Sequence, residues 1–156
     1  MVQWAISFIG LVGLTTCLVG CGPQARTYDV TVHNQTRGSI LAWLTKDGPV
    51  FEKGWLAPED IAWSTPRKVD TISGVVVEAG KTADTGPVSG KFDSGTTAVL
   101  RIYRNATTMD EILAVGRQSA DRLDLPLSEG KNEITITDQG GKLSAVRGGG
   151  AKAREK

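Results

Sequence analysis

The chain has 156 residues, a formal net charge of +1 and an aromatic content of 6%. This length accommodates a single domain. The near balance of charges argues against a nucleic-acid partner, since nucleic-acid-binding proteins concentrate basic residues on one face. The 19 glycines, together with many Thr and Val residues, favour short strands joined by turns.

The first twenty residues carry no charge, and Val2–Gly20 forms a continuous apolar run. A buried core helix would show a polar face at a 3.6-residue period. A retained transmembrane helix needs about 20 apolar residues. A signal peptide needs a shorter apolar core followed by small residues at a cleavage site. The residues that end the run favour the last of these.

The sequence Leu18-Val19-Gly20-Cys21 resembles the lipobox of bacterial lipoproteins. The resemblance implies that residues 1–20 are a signal peptide and that the Cys21 thiol is joined to diacylglycerol. It also implies cleavage before Cys21 and acylation, commonly with palmitate, of the new amine. Lipoprotein signals usually begin with Lys or Arg, which Met1–Trp4 lacks, so an uncleaved membrane anchor and an ordinary buried segment remain alternatives.

The same resemblance implies a location in the bacterial cell envelope, bound to a membrane through lipid. Gly22 stands where an Asp often signals inner-membrane retention, so we favour the outer membrane. The two cysteines of the chain are Cys17 and Cys21, so the mature domain would have no disulfide and would depend on its hydrophobic core. Residues 21–26 are a short linker, which places the domain close to the bilayer.

Residues 27–147 are predicted to form an all-β domain, an antiparallel β-sandwich of about seven to eight strands. Turn residues separate short segments that favour strand, most of them with alternating apolar and polar residues: 28–33, 39–45, 71–79, 96–104, 123–127, 133–137 and 143–146. Segment 39–45 has two apolar faces, which indicates a central strand. The body resembles immunoglobulin-like and fibronectin-like sandwiches, and Trp43–Gly48 with Gly54–Leu56 is similar to small bacterial lipoproteins without an assigned activity.

Four segments are less regular. Ala57–Asp60 is typical of a helix start, with Pro at the first position and acidic residues near the positive end of the helix dipole. Residues 81–95 are predicted to be mainly loop, with a short strand near Val88. Residues 109–117 fit either a helix with a capping box or a strand, and we favour the strand. Residues 148–156 form a basic tail that we expect to be disordered and solvated, although it could contact anionic lipid or an acidic wall polymer.

Two tripeptides, Asp84-Thr85-Gly86 and Asp93-Ser94-Gly95, resemble the catalytic loops of aspartic proteases, in which two carboxylates share one proton. Apolar strand residues precede such loops, and Asp84 lacks them. The motifs are also only nine residues apart. We interpret both as turns, and an aspartic-type envelope hydrolase is a minor alternative.

His33 is the single histidine and falls on the polar side of a predicted strand, which indicates exposure rather than a metal site. Trp43, Trp55 and Trp63 could stack against a sugar or small ligand, but we favour core packing. No cofactor and no catalytic residue is predicted. We therefore expect a lipid-anchored, non-catalytic structural or interaction module whose partner is the membrane and an envelope protein or glycan.

Overall fold

The computed structural model describes residues 22–63, 74–115 and 121–148, and within them two four-stranded β-sheets pack face to face. The strands are β1 (Gln24–Asn34), β2 (Ile40–Asp47), β3 (Gly74–Val77), β4 (Thr82–Phe92), β5 (Thr97–Arg104), β6 (Arg122–Pro126), β7 (Gly130–Gln139) and β8 (Lys142–Arg147). A 3-10 turn (Lys53–Trp55) and two short helices, α1 (Pro58–Trp63) and α2 (Met109–Val115), lie in the connections. The predicted signal peptide, Cys21 and the tail after Gly148 fall outside the described residues.

Sheet A has the strand order β4-β1-β7-β8, and sheet B has the order β3-β2-β5-β6. All neighbouring strands are antiparallel except β1 and β7, which run parallel. The prediction of an all-β sandwich is therefore confirmed for the part of the chain that the structure describes.

The main core lies between the sheets and follows from the two-residue period of the strands. Four strands contribute buried inward side chains at alternate positions: Tyr28, Val30 and Val32 in β1; Ile40, Ala42 and Leu44 in β2; Ala98, Leu100 and Ile102 in β5; Ile134 and Ile136 in β7. These are the faces that the sequence alternation predicted.

A second, smaller apolar cluster covers the outer face of sheet B. Leu41 and Trp43 of β2 and Tyr103 of β5 pack there with Ala106 and with Ile112 of α2. This cluster explains why β2 is buried on both faces, and it confirms the prediction that segment 39–45 is a central strand.

The prediction of a strand over residues 109–117 is wrong, because Met109–Val115 is helical. A capping box starts the helix: the backbone N–H groups of Thr107 and Thr108 donate to Glu111 Oε2 at 2.8 and 3.0 Å, and Glu111 N donates to Thr108 Oγ1 at 3.3 Å. Ile112 of this helix packs against sheet B. The apolar residue that suggested a strand is therefore the contact between a helix and the sheet below it.

The prediction of a mainly looped segment over residues 81–95 is also wrong, since β4 is an eleven-residue strand. β4 is an edge strand of sheet A and pairs with β1 along most of its length. Only part of it faces the core, so Gly, Thr, Ser and Asp residues are tolerated there. Gly86 has a φ of +67° close to the register shift between Asp29 and Thr31, a conformation that favours glycine.

Candidate functional site

One end of the sandwich, here called the N-terminal end, is the end at which β1 begins. β4 ends there, because Gln24 pairs with Phe92. β5 begins there, because Arg26 of β1 donates to the Thr96 carbonyl at 3.2 Å, and β2 ends there, because Asp47 pairs with Thr97. Gly22, the first described residue, is exposed. Cys21 precedes Gln24 by three residues, a span of at most about 10 Å. Leu18–Cys21 lies outside the described residues, so its lipidation stays a prediction.

Three aromatic rings pack against one another inside the N-terminal end. The ring centroids of Trp55 and Phe92 are 5.0 Å apart and those of Tyr28 and Trp55 are 5.7 Å apart, both in edge-to-face geometry. The Lys46 ammonium lies over this cluster, 5.0 Å from the Phe92 ring and 6.0 Å from the Trp55 ring. Its side chain is only 2% exposed.

The buried Lys46 ammonium is neutralised by Glu52. Lys46 Nζ lies 2.5 Å from Glu52 Oε2 and donates to the Lys91 carbonyl at 2.7 Å. The Lys91 N–H donates to the same Glu52 oxygen at 2.8 Å. The hydrogen bond from Lys46, followed by that from Lys91, lowers the pKa of Glu52 below its usual 4.5. The arrangement ties the connection after β2 to the edge strand β4.

The connection Gly48–Leu56, here called the β2–α1 loop, is held at both ends. Thr96 Oγ1 donates to the Pro49 carbonyl at 2.9 Å. Farther along, Trp55 Nε1 donates to the Ser89 carbonyl at 3.1 Å, and Thr45 Oγ1 donates to the Trp55 carbonyl at 2.8 Å. Between these attachments Phe51 points outwards with 74% of its surface exposed. The sequence offered no pattern that distinguished Phe51 from a core residue.

The tryptophan platform considered from the sequence does not form from Trp43 and Trp55. Trp43 is 2% exposed on the outer face of sheet B, and its Nε1 donates to the Leu56 carbonyl at 3.0 Å. Trp55 is 3% exposed and belongs to the main core. The two rings lie in different apolar clusters, and neither is available to a ligand at the surface. Trp63 ends α1, and its side chain is outside the described part.

Tryptophan fluorescence checks this burial. In a Trp4→Phe/Trp63→Phe variant all indole emission comes from Trp43 and Trp55. We expect blue-shifted emission that iodide barely quenches, because both rings are removed from water. Unfolding in urea should restore red emission and quenching, which serves as the control. Red emission with strong iodide quenching in the native protein would contradict the packing described above.

The two aspartates that resemble protease loops are far apart. Asp84 lies within β4, whereas Asp93 follows the end of β4. Nine residues of extended chain span roughly 30 Å, so the carboxylates of one chain do not share a proton. Asp84 is exposed and accepts hydrogen bonds from Gly86 N at 2.6 Å and Thr31 Oγ1 at 3.3 Å. The Gly86 bond is the main cause that lowers the pKa of Asp84. The interpretation of Asp84-Thr85-Gly86 as a turn is therefore wrong, because these residues lie within β4 at its irregular pairing with β1. The interpretation of Asp93-Ser94-Gly95 as a turn is confirmed, and Thr96 N donates to the Asp93 carbonyl there at 3.1 Å.

A cleft of about 260 Å³ lies beside Asp84, between the edge strands β3 and β4. Leu44, Val75 and Val88 supply its apolar wall, and Asp84 and Thr85 supply polar atoms. The volume is below the usual range of small-molecule sites, about 300–1,000 Å³. We assign no ligand to it.

His33 is placed on sheet A with its side chain 31% exposed. Its Nδ1 lies 2.8 Å from Thr82 Oγ1 and its Nε2 lies 3.0 Å from Glu133 Oε1. These contacts bridge β1 to both neighbouring strands. Among the described residues, no three His, Cys, Asp or Glu side chains come together in a way that would hold a metal ion.

An ion-pair network on the outer face of sheet B was not anticipated from the sequence. Glu59 of α1 accepts from Arg101 and Arg122 at 3.0 Å each, and Arg122 also binds Asp124. The neighbouring Tyr103 is fully buried, and burial raises its pKa to about 12. The partners are 42 and 63 residues apart, so no local pattern could have revealed the network. It fastens α1 to strands β5 and β6.

Within the described ranges, no helix has the length and apolar character needed to cross a membrane. No protein-family model matches this chain, and no curated protein matches its sequence.

Proposed function

We propose that this chain is a bacterial lipoprotein whose β-sandwich is held at a cell-envelope membrane by lipid on Cys21. One observation carries the proposal: the sequence Leu18-Val19-Gly20-Cys21 ends an uncharged apolar run directly before the folded domain. β1 begins at Gln24, so only Gly22 and Pro23 lie between Cys21 and the first strand. A lipid on Cys21 would keep the N-terminal end of the sandwich at the bilayer surface.

We further propose that the domain is a non-catalytic structural or interaction module with an envelope protein or glycan as partner. The pairing of its polar groups supports this role. Lys46 binds Glu52 and the Lys91 carbonyl, and Arg101 and Arg122 on sheet B bind Glu59 and Asp124. These contacts stabilise the fold and leave those charges little freedom to act on a substrate. The burial of Trp43 and Trp55 argues against a glycan site built on these two rings.

Replacing Cys21 tests the anchor. In Cys21→Ala the thiol that would receive diacylglycerol is gone, so we expect loss of labelling by a fatty-acid analogue and retention of the N-terminal segment. Cys17→Ala is the matched control, because it removes the other cysteine of the chain but leaves the lipobox intact. The measurements are metabolic labelling and the intact mass of the protein from a bacterial host. An unchanged lipid label in Cys21→Ala, or an intact Met1 without added lipid in the wild type, would contradict the proposal.

A further inference from the structure

We infer that Phe51 is a second membrane contact, inserted among the lipid headgroups beside the lipid on Cys21. This inference rests on the proposed lipidation and adds a partner for the β2–α1 loop: the surface of the same bilayer. It is carried by three features of the described residues, namely the exposure of Phe51, the attachment of its loop and the position of that loop in the fold.

Phe51 is the most exposed large hydrophobic side chain in the described part of the chain, at 74%. Burying an aromatic ring of this size is favourable. Single exposed hydrophobic residues are nevertheless common on protein surfaces, so the place where Phe51 is held matters more than its exposure alone. The loop is not loose around it. Pro49 is bonded to Thr96 on one side and Glu52 to Lys46 and Lys91 on the other, so the ring is held outward.

The loop lies at the end of the sandwich that the lipid would bring to the bilayer. Glu52 contacts Lys91, and Lys91 pairs directly with Ala25 at the start of β1. Cys21 is four residues before Ala25, a distance of at most about 14 Å along the chain. A diacylglycerol at Cys21 and the ring of Phe51 would therefore meet the same lipid surface.

Charge at this end does not favour the contact. With Lys46 paired to Glu52, the cations Arg26, Lys53 and Lys91 are balanced by the acids Asp47, Asp60 and Asp93, of which Asp47 and Asp60 line one cleft with Phe51. Because no excess of positive charge is present, the aromatic ring rather than electrostatic attraction to anionic lipid must carry the contact. The contact should therefore form on zwitterionic as well as anionic membranes.

The consequence is a fixed orientation of the domain. A lipid attached through a short linker leaves the sandwich free to tilt, whereas two separate contacts restrict it. With Phe51 at the bilayer, the opposite end of the sandwich, where β1 and β7 end, faces away from the membrane. That end would be the one presented to a partner.

A fluorophore sensitive to polarity tests the inference on the full-length, lipidated protein. In a Cys17→Ala background, Phe51→Cys supplies the single reactive thiol, since Cys21 is blocked by lipid. Val146→Cys is the matched control, because Val146 is an exposed apolar residue on edge strand β8 and is 57% exposed. The labelled proteins are reconstituted into vesicles of phosphatidylcholine, alone or mixed with phosphatidylglycerol, that contain a nitroxide-labelled phospholipid.

We expect blue-shifted emission and several-fold stronger nitroxide quenching at position 51 than at position 146 in both kinds of vesicle. Equal quenching at the two positions would overturn the inference, as would quenching that requires phosphatidylglycerol. The mass of the Cys21 peptide and flotation of the protein with vesicles are measured on the same samples. Lipidated, floating protein with an aqueous probe at position 51 refutes the Phe51 contact alone, whereas an unmodified Cys21 refutes the anchor and the contact that rests on it.

Discussion

Replacing Trp55 by alanine is expected to destabilise the folded domain by about 3–5 kcal/mol, the usual range for deleting a buried aromatic side chain. Trp55 is 3% exposed and packs edge-to-face against both Tyr28 and Phe92. Its deletion would also remove the hydrogen bond from Nε1 to the Ser89 carbonyl. The cavity could not easily collapse, because both sheets contribute to its walls.

The surroundings of Trp55 are closely packed, which supports a large loss of stability in Trp55→Ala. A Cβ placed on Gly90 would lie 2.3 Å from Trp55 Nε1, so the indole lies directly against the backbone of β4. Loss of the indole would therefore open a gap between β4 and the β2–α1 loop. The loop would lose its attachment to the Ser89 carbonyl and keep the hydrogen bond that the Trp55 carbonyl accepts from Thr45.

Urea unfolding followed by far-ultraviolet circular dichroism measures the loss, since the variant lacks a reporter indole in the core. Trp55→Phe keeps an aromatic ring and should cost clearly less than Trp55→Ala. Phe51→Ala is the control in the same loop and should change the free energy of unfolding by no more than about 0.5 kcal/mol, because its side chain is exposed. A loss below about 1 kcal/mol in Trp55→Ala would mean that the aromatic cluster is not a close-packed part of the core.

The features that sequence reasoning identified are those whose signal is local. Alternation in β1, β5 and β7 defines which side chains face the core, whatever the strands pair with. Pro58 with the following acids identified the start of α1, and Asp60 Oδ2 does accept the Ala57 N–H at 3.2 Å. The lipobox is likewise a contiguous sequence, and the lipidation of Cys21 that it implies stays a prediction.

The features that were missed depend on partners distant in the chain. β4 has a loop-like composition and is a strand because β1 supplies its hydrogen bonds. No local pattern indicated a buried Lys46, and its ammonium is buried because Lys91, 45 residues away, supplies a carbonyl. Phe51 could not be distinguished from a core residue because its exposure depends on where Thr96 and Lys91 hold the loop.

The ion pair between Lys46 and Glu52 gives the second large expected effect. In Glu52→Ala the Lys46 ammonium, whose side chain is 2% exposed in the wild type, keeps the Lys91 carbonyl and the aromatic faces as its remaining partners. Removing one member of a buried pair costs about 3–5 kcal/mol. Because the Glu52 side chain is itself 32% exposed, we expect the lower part of that range, about 3 kcal/mol.

A double-mutant cycle measures the interaction energy between Lys46 and Glu52 separately from the other contributions of the two side chains to stability. Lys46→Met/Glu52→Gln removes both charges and keeps the shape of the side chains, so it should recover most of the stability lost in Glu52→Gln alone. Lys53→Ala is the neighbouring control and should be neutral, since Lys53 is exposed. A double variant as unstable as the sum of the two single variants would show that the charges do not interact.

The ion pair between Glu52 and Lys46 should also make the stability of the fold depend on pH. Because the folded protein lowers the pKa of Glu52 below 4.5, the contribution of this carboxylate is fully present above pH 4.5 and is lost as the pH falls through the lowered folded-state pKa. The difference in unfolding free energy between the wild type and Glu52→Gln should therefore be constant near neutrality and shrink in acid. A difference that stays constant down to the acid unfolding transition would mean that Glu52 is not ionised against Lys46.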